Sequence, residues 1–323
     1  MKAIVLSHYG APADLRLEDR PKPEPRAGEV LVKVHATSIN DWDWSFVRGK
    51  PYLYRLMFGL RKPRVSVLGC EVAGIVESLG AGATRFQPGT RVYGDLSEAG
   101  FGGFAEYVSV RESALAAMPE NMTFEQAAAL PHAGMLAQQG LIDIGGMRQG
   151  ERVLINGAGG GVGMIGVQIA KRMGAAQVTG IDSGDKLAML RDLGCDHTFD
   201  YTQHDFSREA GRYDLILDTK STRSPFACAR ALTPGGRYVT VGGDLSRLLQ
   251  LAALGPLLRV LSGKQARIVA LKTNKDMPYL ADAFAAGLRL VLDGPYSLAD
   301  VPTALARFGA GKHLGKVVVR VAS

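Results

Sequence analysis

The chain has 323 residues, 46% hydrophobic and 21% charged, a soluble globular balance with enough apolar mass to bury cores. At roughly 150 residues per domain this length suggests two domains. Glycine, at 40 residues, is about 12% of the chain against a usual value of roughly 7%, and without a Gly-x-y period that excludes collagen and points to tight turns or ligand loops. A net charge of +7 admits an anionic partner without identifying one. Three scattered cysteines, Cys70, Cys195 and Cys228, exclude a disulfide framework and a paired-cysteine metal knuckle. The first ten residues lack the apolar stretch of a secretory signal, so the cytoplasm is the expected compartment.

The first third reads as strands at 3–6, 30–34, 72–76, 91–93 and 105–110, separated by Pro- and Gly-rich turns. Many short strands of this kind imply a small barrel or sandwich. The texture changes after about residue 122. Thr123 with Gln126 three positions on forms a capping-box pattern, and strands then alternate with helices. Strands are expected at 153–156, 178–182, 197–201, 215–218, 238–242 and 268–271. Between the first two, Val162, Ile165, Ile169 and Met173 recur at helical spacing until Gly174 ends the helix. Six strands with intervening helices make an α/β domain with a doubly wound parallel sheet. The tail is expected to hold helices at 276–286 and 301–308, and its closing strand, 316–321, to rejoin the N-terminal domain.

The most informative stretch runs from Val153 to Gly163, a buried strand leading through glycines into a helix. A helix N-terminus offers unpaired N–H groups and a positive dipole end to a pyrophosphate. Gly157, Gly160 and Gly163 match G-x-x-G-x-x-G from the strand end, and Gly161, Gly163 and Gly166 match G-x-G-x-x-G. We prefer the first register because it begins where the strand stops. Asp182 ends the second strand, where an acidic residue meets the ribose hydroxyls of NAD, while Lys186 is placed to take the 2′-phosphate of NADP. The cofactor is therefore NAD or NADP, with the lean to NAD on Asp182.

These residues resemble the medium-chain dehydrogenase/reductase superfamily, in its zinc-independent, quinone oxidoreductase-like branch. Further landmarks are Ser38–Asp43, Gly69–Gly74, Gly102–Tyr107, Asp196–Tyr201 with Asp205 and Phe206, and Gly315–Val318. The resemblance implies a GroES-like β-barrel catalytic domain at 1–125 and 275–323 and a Rossmann domain at 126–274, with the active site in the cleft. It implies hydride transfer from a nicotinamide to a quinone or α,β-unsaturated carbonyl, and a homodimer. It places Val162, Tyr201, Thr219, Gly242 and Leu271 near the cofactor, alongside Gly157, Gly160 and Gly161.

Zinc-dependent members of the superfamily carry a cysteine where Asn40 stands, a histidine where Cys70 stands and a further cysteine near His132. Asn40 is a poor zinc ligand, so no metal is expected, and Cys70 and His132 read as a buried thiol and a hydrogen-bonded histidine. Catalysis then rests on placement and a proton donor, for which Tyr52 is the first choice and Tyr54 the second, with Asn40 orienting substrate or ribose. The alternatives are a zinc-dependent alcohol dehydrogenase using Cys70 and His132, and a cofactor-binding sensor or nucleic-acid-binding protein with little turnover. Six basic residues between Arg48 and Arg64, with interleaved aromatics, are read as a solvated lid, and no nucleic acid is expected. The apolar stretch 245–261 is interrupted by Gln250, Pro256 and Arg259. It reads as a helix over the sheet edge or a subunit contact, unable to span a bilayer, with peripheral membrane contact the lesser reading.

Overall fold

The computed structural model describes residues 1–321. The chain forms two compact units. The first comprises Met1–His132, Thr273–Ala286 and the chain from Leu290 onward, and the second comprises Ala133–Lys272 with Gly287–Arg289. These units lie close to the expected domains 1–125 with 275–323 and 126–274, of which Ala322 and Ser323 fall outside the described residues.

The first unit opens with β1 (Lys2–Val5), β2 (Arg16–Asp19) and β3 (Glu29–Ser38). Two short helices follow, α1 (Asp41–Arg48) and α2 (Leu53–Phe58), the second within the basic stretch read as a lid. Then come β4 (Glu71–Leu79), β5 (Arg91–Asp95), β6 (Tyr107–Arg111), β7 (Ala116–Ala117) and α3 (Phe124–Ala129). Thr123 caps α3 by accepting from the Gln126 N–H, the box its spacing predicted. Alternation along β3 buries Val30, Val32 and Val34 against Val72, Val76, Val92, Val108 and Val110. Each such side chain is worth about 1.5–3 kcal/mol of burial.

The chain passes through α4 (Pro131–Gln138) into the second unit, where β8 (Arg152–Asn156), α5 (Gly161–Arg172), β9 (Gln177–Asp182), α6 (Leu187–Asp192) and β10 (His197–Asp200) follow. Next are β11 (Tyr213–Asp218), α7 (Pro225–Ala231), β12 (Leu232–Thr240), α8 (Leu245–Ser262) and β13 (Gln265–Ile268). The strands make one parallel sheet in the order β10-β9-β8-β11-β12-β13. Chain order reverses between β8 and β11, the doubly wound arrangement of a dinucleotide-binding sheet. The last strand lies earlier than the apolar run 268–271 suggested. Its register is set by pairing Gln265–Ile268 with Arg237–Thr240, and an edge strand tolerates the polar Gln265 and Arg267.

Pro256 sits inside α8 without ending it. By length and composition α8 is apolar enough to cross a membrane, contrary to the reading from Gln250, Pro256 and Arg259. It is nonetheless seated on its own unit through the buried Leu251, Gly255 and Leu258. The chain returns to the first unit with α9 (Met277–Ala285), β14 (Leu292–Ser297), α10 (Val301–Gly309) and β15 (Lys316–Arg320). As expected, β15 rejoins the N-terminal sheet, antiparallel to β3. A second core gathers Ile4, Phe46, Leu68, Phe104, Leu305 and Val317.

Gly309 closes α10 against the Trp44 indole, and a Cβ placed there would lie 2.3 Å from that ring. Alanine normally gains about 1 kcal/mol over glycine in a helix. Here overpacking reverses the sign, and Gly309→Ala is expected to lose about 1–3 kcal/mol in chemical denaturation. Unchanged or greater stability would show that Trp44 swings aside freely.

Candidate active site

In the second unit the glycine segment follows β8 directly. Gly157 has φ +76, a left-handed conformation, and a Cβ there would come within 2.1 Å of Thr219 Oγ1. Gly160 is the N-cap of α5, and Gly161 and Val162 are its first residues. A Cβ on Gly163 would lie 2.4 Å from Ala158 Cα and from the Gly157 carbonyl oxygen, so the third glycine lets α5 approach its loop. Gly157 and Gly163 thus each have a steric reason to be glycine, and Gly160 stands between them at the start of α5. The cradle suits a pyrophosphate, since a side chain at Gly157 or Gly163 would displace the turn or the helix behind it.

The other residues assigned to the cofactor lie at the carboxyl ends of neighbouring strands. Asp182 ends β9, Tyr201 follows β10, Thr219 follows β11, Gly242 lies two residues past β12, and Leu271 three past β13. Ligands of doubly wound sheets bind along this edge, beside the switch point. Asn156 and Asp218 fasten that point, with Asn156 Nδ2 donating to Asp218 Oδ1 at 2.8 Å. Asp218 also accepts from the Lys220 and Ser221 N–H groups and the Tyr238 hydroxyl. Sequence reasoning passed over both residues, although a polar residue ending each of two adjacent buried strands was the available signal.

Asp182 is buried and held on both oxygens. Oδ2 accepts from the Gly159 N–H at 2.8 Å, and Oδ1 accepts from the Ser183 N–H at 2.9 Å with the Lys186 ammonium 3.3 Å away. Lys186 is itself buried.

In the first unit a polar cluster is sealed among apolar side chains. Glu71, at the start of β4, is fully buried. Its Oε2 accepts from Asn40 Nδ2 at 2.7 Å and from Ser38 Oγ, and lies 2.6 Å from the Lys316 ammonium. Its Oε1 accepts from the His132 backbone N–H at 2.8 Å. Lys316, the first residue of β15, also donates to Asn40 Oδ1. His132 Nδ1 lies 2.7 Å from Asp95 Oδ2. Asp43 completes the cluster, accepting from the Asn40 and Gly69 N–H groups at 2.9 Å each. Sequence analysis named Asn40, Cys70 and His132 here and missed the roles of Asp43, Asp95 and Lys316, which no local spacing reveals.

Burial shapes the ionisation of these groups. It pushes the Asp43 carboxyl up to about 7 despite its two N–H donors and the nearby Lys316 charge. It raises the Cys70 thiol well above its usual range, reinforced by Asp43, Asp95 and Glu71. For Asp95 and His132 burial opposes charge on both, but their mutual attraction prevails, holding Asp95 below its ordinary value and His132 above.

The two residues assigned to catalysis sit in unlike settings. Asn40 is buried with its amide engaged by Lys316 and Glu71. Tyr52 is 66% exposed just before α2, with the Arg55 guanidinium 5.1 Å from its ring centre. No hydrogen bond joins Tyr52 to Asn40 among the described residues. Tyr54 packs beside Trp42 and Phe46. The basic stretch is partly occupied, as Arg48 covers the Trp44 ring and Arg55 covers Tyr9 while donating to the Gly49 carbonyl.

Two family models match the chain, an alcohol dehydrogenase GroES-like domain over residues 26–120 and a zinc-binding dehydrogenase over 193–319. The chain is 31% identical to a 2-methylene-furan-3-one reductase of Solanum lycopersicum, covering 99% of this chain and 79% of the relative. It is 34% identical to a chloroplastic NADPH-dependent alkenal/one oxidoreductase of Arabidopsis thaliana, over 88% and 76%. The chain belongs to the quinone oxidoreductase-like branch of the medium-chain dehydrogenase/reductase superfamily. Among solved structures, the quinone oxidoreductase of Coxiella burnetii superposes with a TM-score of 0.87 at 28% identity, covering 100% of this chain and 99% of the other.

One of the two matched models is a zinc-binding dehydrogenase, and three candidate metal donors stand together in this chain. Cys70, Asp95 and His132 bring one donor atom each within 4.8 Å of one another. Yet the imidazole and the carboxylate are already joined to each other, and the Asn40 amide oxygen is taken by an ammonium. The bond between imidazole and carboxylate engages one ring nitrogen of His132 and one oxygen of Asp95, and a histidine held in this way by a carboxylate ligates a metal through its other nitrogen.

The Asp43 carboxyl gives this oxidoreductase a pH signature. Its folded value lies above the unfolded one, so its contribution is fully present below about pH 4 and is lost as pH rises through about 7. Asn mimics the protonated acid. Asp43→Asn should therefore flatten the loss of stability between pH 5 and pH 8, by at least about 1 kcal/mol in denaturant titrations. Equal pH slopes in the two proteins would refute the assignment.

Proposed function

We propose that this chain reduces quinones or α,β-unsaturated carbonyls with a nicotinamide dinucleotide and without a metal. The observation that carries this reading is the row of residues at the carboxyl ends of β8 to β13, opening on a glycine cradle shaped for a pyrophosphate. The dinucleotide, when bound, supplies the hydride, which adds to the electrophilic carbon and leaves an enolate or phenolate to be protonated. Gly157, Gly160, Gly161 and Val162 hold the pyrophosphate, and Tyr201, Thr219, Gly242 and Leu271 line its extension. Asn40 orients the reacting part of the ligand. Tyr52 supplies the proton for enones, its exposure giving it direct exchange with water, and a quinone accepts hydride without a dedicated acid.

For the donor we propose NADPH in place of the NAD that Asp182 suggested. Two N–H groups and the Lys186 ammonium neutralise that carboxylate, which removes its repulsion of a 2′-phosphate. The similarity to an NADPH-dependent alkenal/one oxidoreductase supports the same choice. We also propose a homodimer, supported by the sheet ending at β13 beside the exposed Leu249, Leu257, Val260 and Leu261 of α8. Three buried free thiols support a reducing compartment, the cytoplasm.

Absorbance at 340 nm, with the protein, either cofactor, and an ortho-quinone or an enone, tests the activity. Oxidation should require both protein and acceptor and run faster with NADPH. In Gly163→Val the loop is displaced and cofactor binding should fall by at least about 100-fold, or about 2.7 kcal/mol. No turnover by wild-type protein that binds cofactor would end the reductase reading, and unchanged affinity in the variant would end the cradle assignment. Sedimentation equilibrium should return twice the chain mass, and a monomer would refute the dimer.

A further inference from the structure

We propose that the outer side of α2 and the turn after it dock on an anionic bilayer, from which the protein takes apolar quinones or enones. The inference rests on the reductase reading above and names the source of its acceptor. α2 is apolar on two sides. Tyr54 and Phe58, four positions apart, pack inward on Trp42 and Phe46. Leu53 and Leu56, three positions apart, lie on the solvent side, 47% and 67% exposed, and Tyr52 and Leu60 extend the patch at either end. Among the described residues, these four are all but one of the large exposed apolar side chains of the first unit. A helix that is apolar all round ordinarily has a partner on each side.

Charge identifies the partner. No acidic residue lies between Asp43 and Glu71, whereas Lys50, Arg61, Lys62 and Arg64 flank the patch in sequence and are exposed. The turn carrying three of these cations is fixed to the helix. The Arg64 N–H donates to the Phe58 carbonyl at 2.8 Å, and the Tyr9 hydroxyl donates to the Gly59 carbonyl at 2.7 Å. Gly59 has φ +122, and a Cβ there would lie 2.1 Å from the Lys62 carbonyl oxygen, so the turn closes only on glycine. Leucines and cations are therefore presented together before any partner arrives. Such a surface matches lipid, whose acyl chains cover the leucines while anionic headgroups meet the cations. A second copy of the chain would bring like charges face to face, and a soluble polyanion would leave the leucines wet. Tyr52 suits the boundary, with an apolar ring and a hydroxyl for the wet headgroup layer. The proposed proton donor stands where an acceptor dissolved in lipid would reach the protein.

The full chain is mixed with vesicles of phosphatidylcholine, alone or with about one-third phosphatidylserine, and bound protein is measured by co-sedimentation. Wild type should pellet with the anionic vesicles and stay in solution with the neutral ones. Leu53→Ser with Leu56→Ser, and separately Arg61→Ser with Lys62→Ser, should each weaken binding at least about tenfold at an unchanged melting temperature. Turnover is then followed with a water-soluble quinone and with a long-chain quinone dissolved in the anionic vesicles. The leucine variant should match wild type on the soluble quinone and need at least about ten times as many vesicles on the other. No binding of wild type to anionic vesicles, or equal binding by the leucine variant, would overturn the docking face. Equally tight binding to polyglutamate, insensitive to the leucine changes, would reassign the face to an acidic protein and overturn the proposal. Equal use of the vesicle-borne quinone by both proteins would overturn the bilayer as the source. Vesicle binding with no turnover of either quinone would end the reductase reading and uphold the docking face.

Discussion

A carboxylate with no access to water governs the first unit. Glu71 is surrounded by apolar side chains, and a buried ion is tolerated only when it is paired and its oxygens are bonded. Four elements therefore meet at one point. The end of β3 brings Ser38, the entry to α1 brings Asn40, α4 brings the His132 N–H, and β15 brings Lys316. Each element has its own hydrophobic reason to pack, but the carboxylate dictates the register in which they do so. A shift of one residue in β15 would turn Lys316 to the other face of its sheet and leave Glu71 unpaired.

The second unit solves a different problem. A parallel sheet exposes the carboxyl ends of its strands together, so residues far apart in sequence share one edge. Gly157, Asp182, Thr219 and Gly242 belong to that edge because of strand order. The hydrogen bonds that do occur there, from Asn156 to Asp218 and from the Gly159 N–H to Asp182, hold the loops above the sheet. The unit thus offers a rigid rim with a flexible choice of ligand chemistry, while the first unit commits its polar groups to one another.

How much was legible in the sequence follows from this contrast. Local chemistry could be read directly, as in the Thr123–Gln126 capping box, the alternation of β3, and the glycines at 157 and 163. Long-range pairing could not. Nothing near residue 71 announces that its partner is a lysine at the head of a Val-rich strand, and nothing near residue 132 points to Asp95. Asn40 was singled out to orient substrate or ribose, and its surroundings show an amide already engaged on two sides. Apolarity alone misplaced β13, because the edge of a sheet takes its register from the neighbouring strand and tolerates Gln265 and Arg267.

The order of synthesis acquires a meaning from where β15 lies. Asn40 and Lys316 are 276 positions apart, and the strand that carries Lys316 is made after the whole of the second unit. The second unit is almost one continuous segment, Ala133–Lys272, and has its whole sheet available well before then. At roughly 5–20 residues per second, Glu71 waits on the order of 10–50 s on the ribosome for its counter-ion. The nascent chain therefore carries a finished nucleotide-binding sheet beside an N-terminal segment whose core cannot yet close. The period in which this protein most needs shelter from aggregation precedes the emergence of a single lysine.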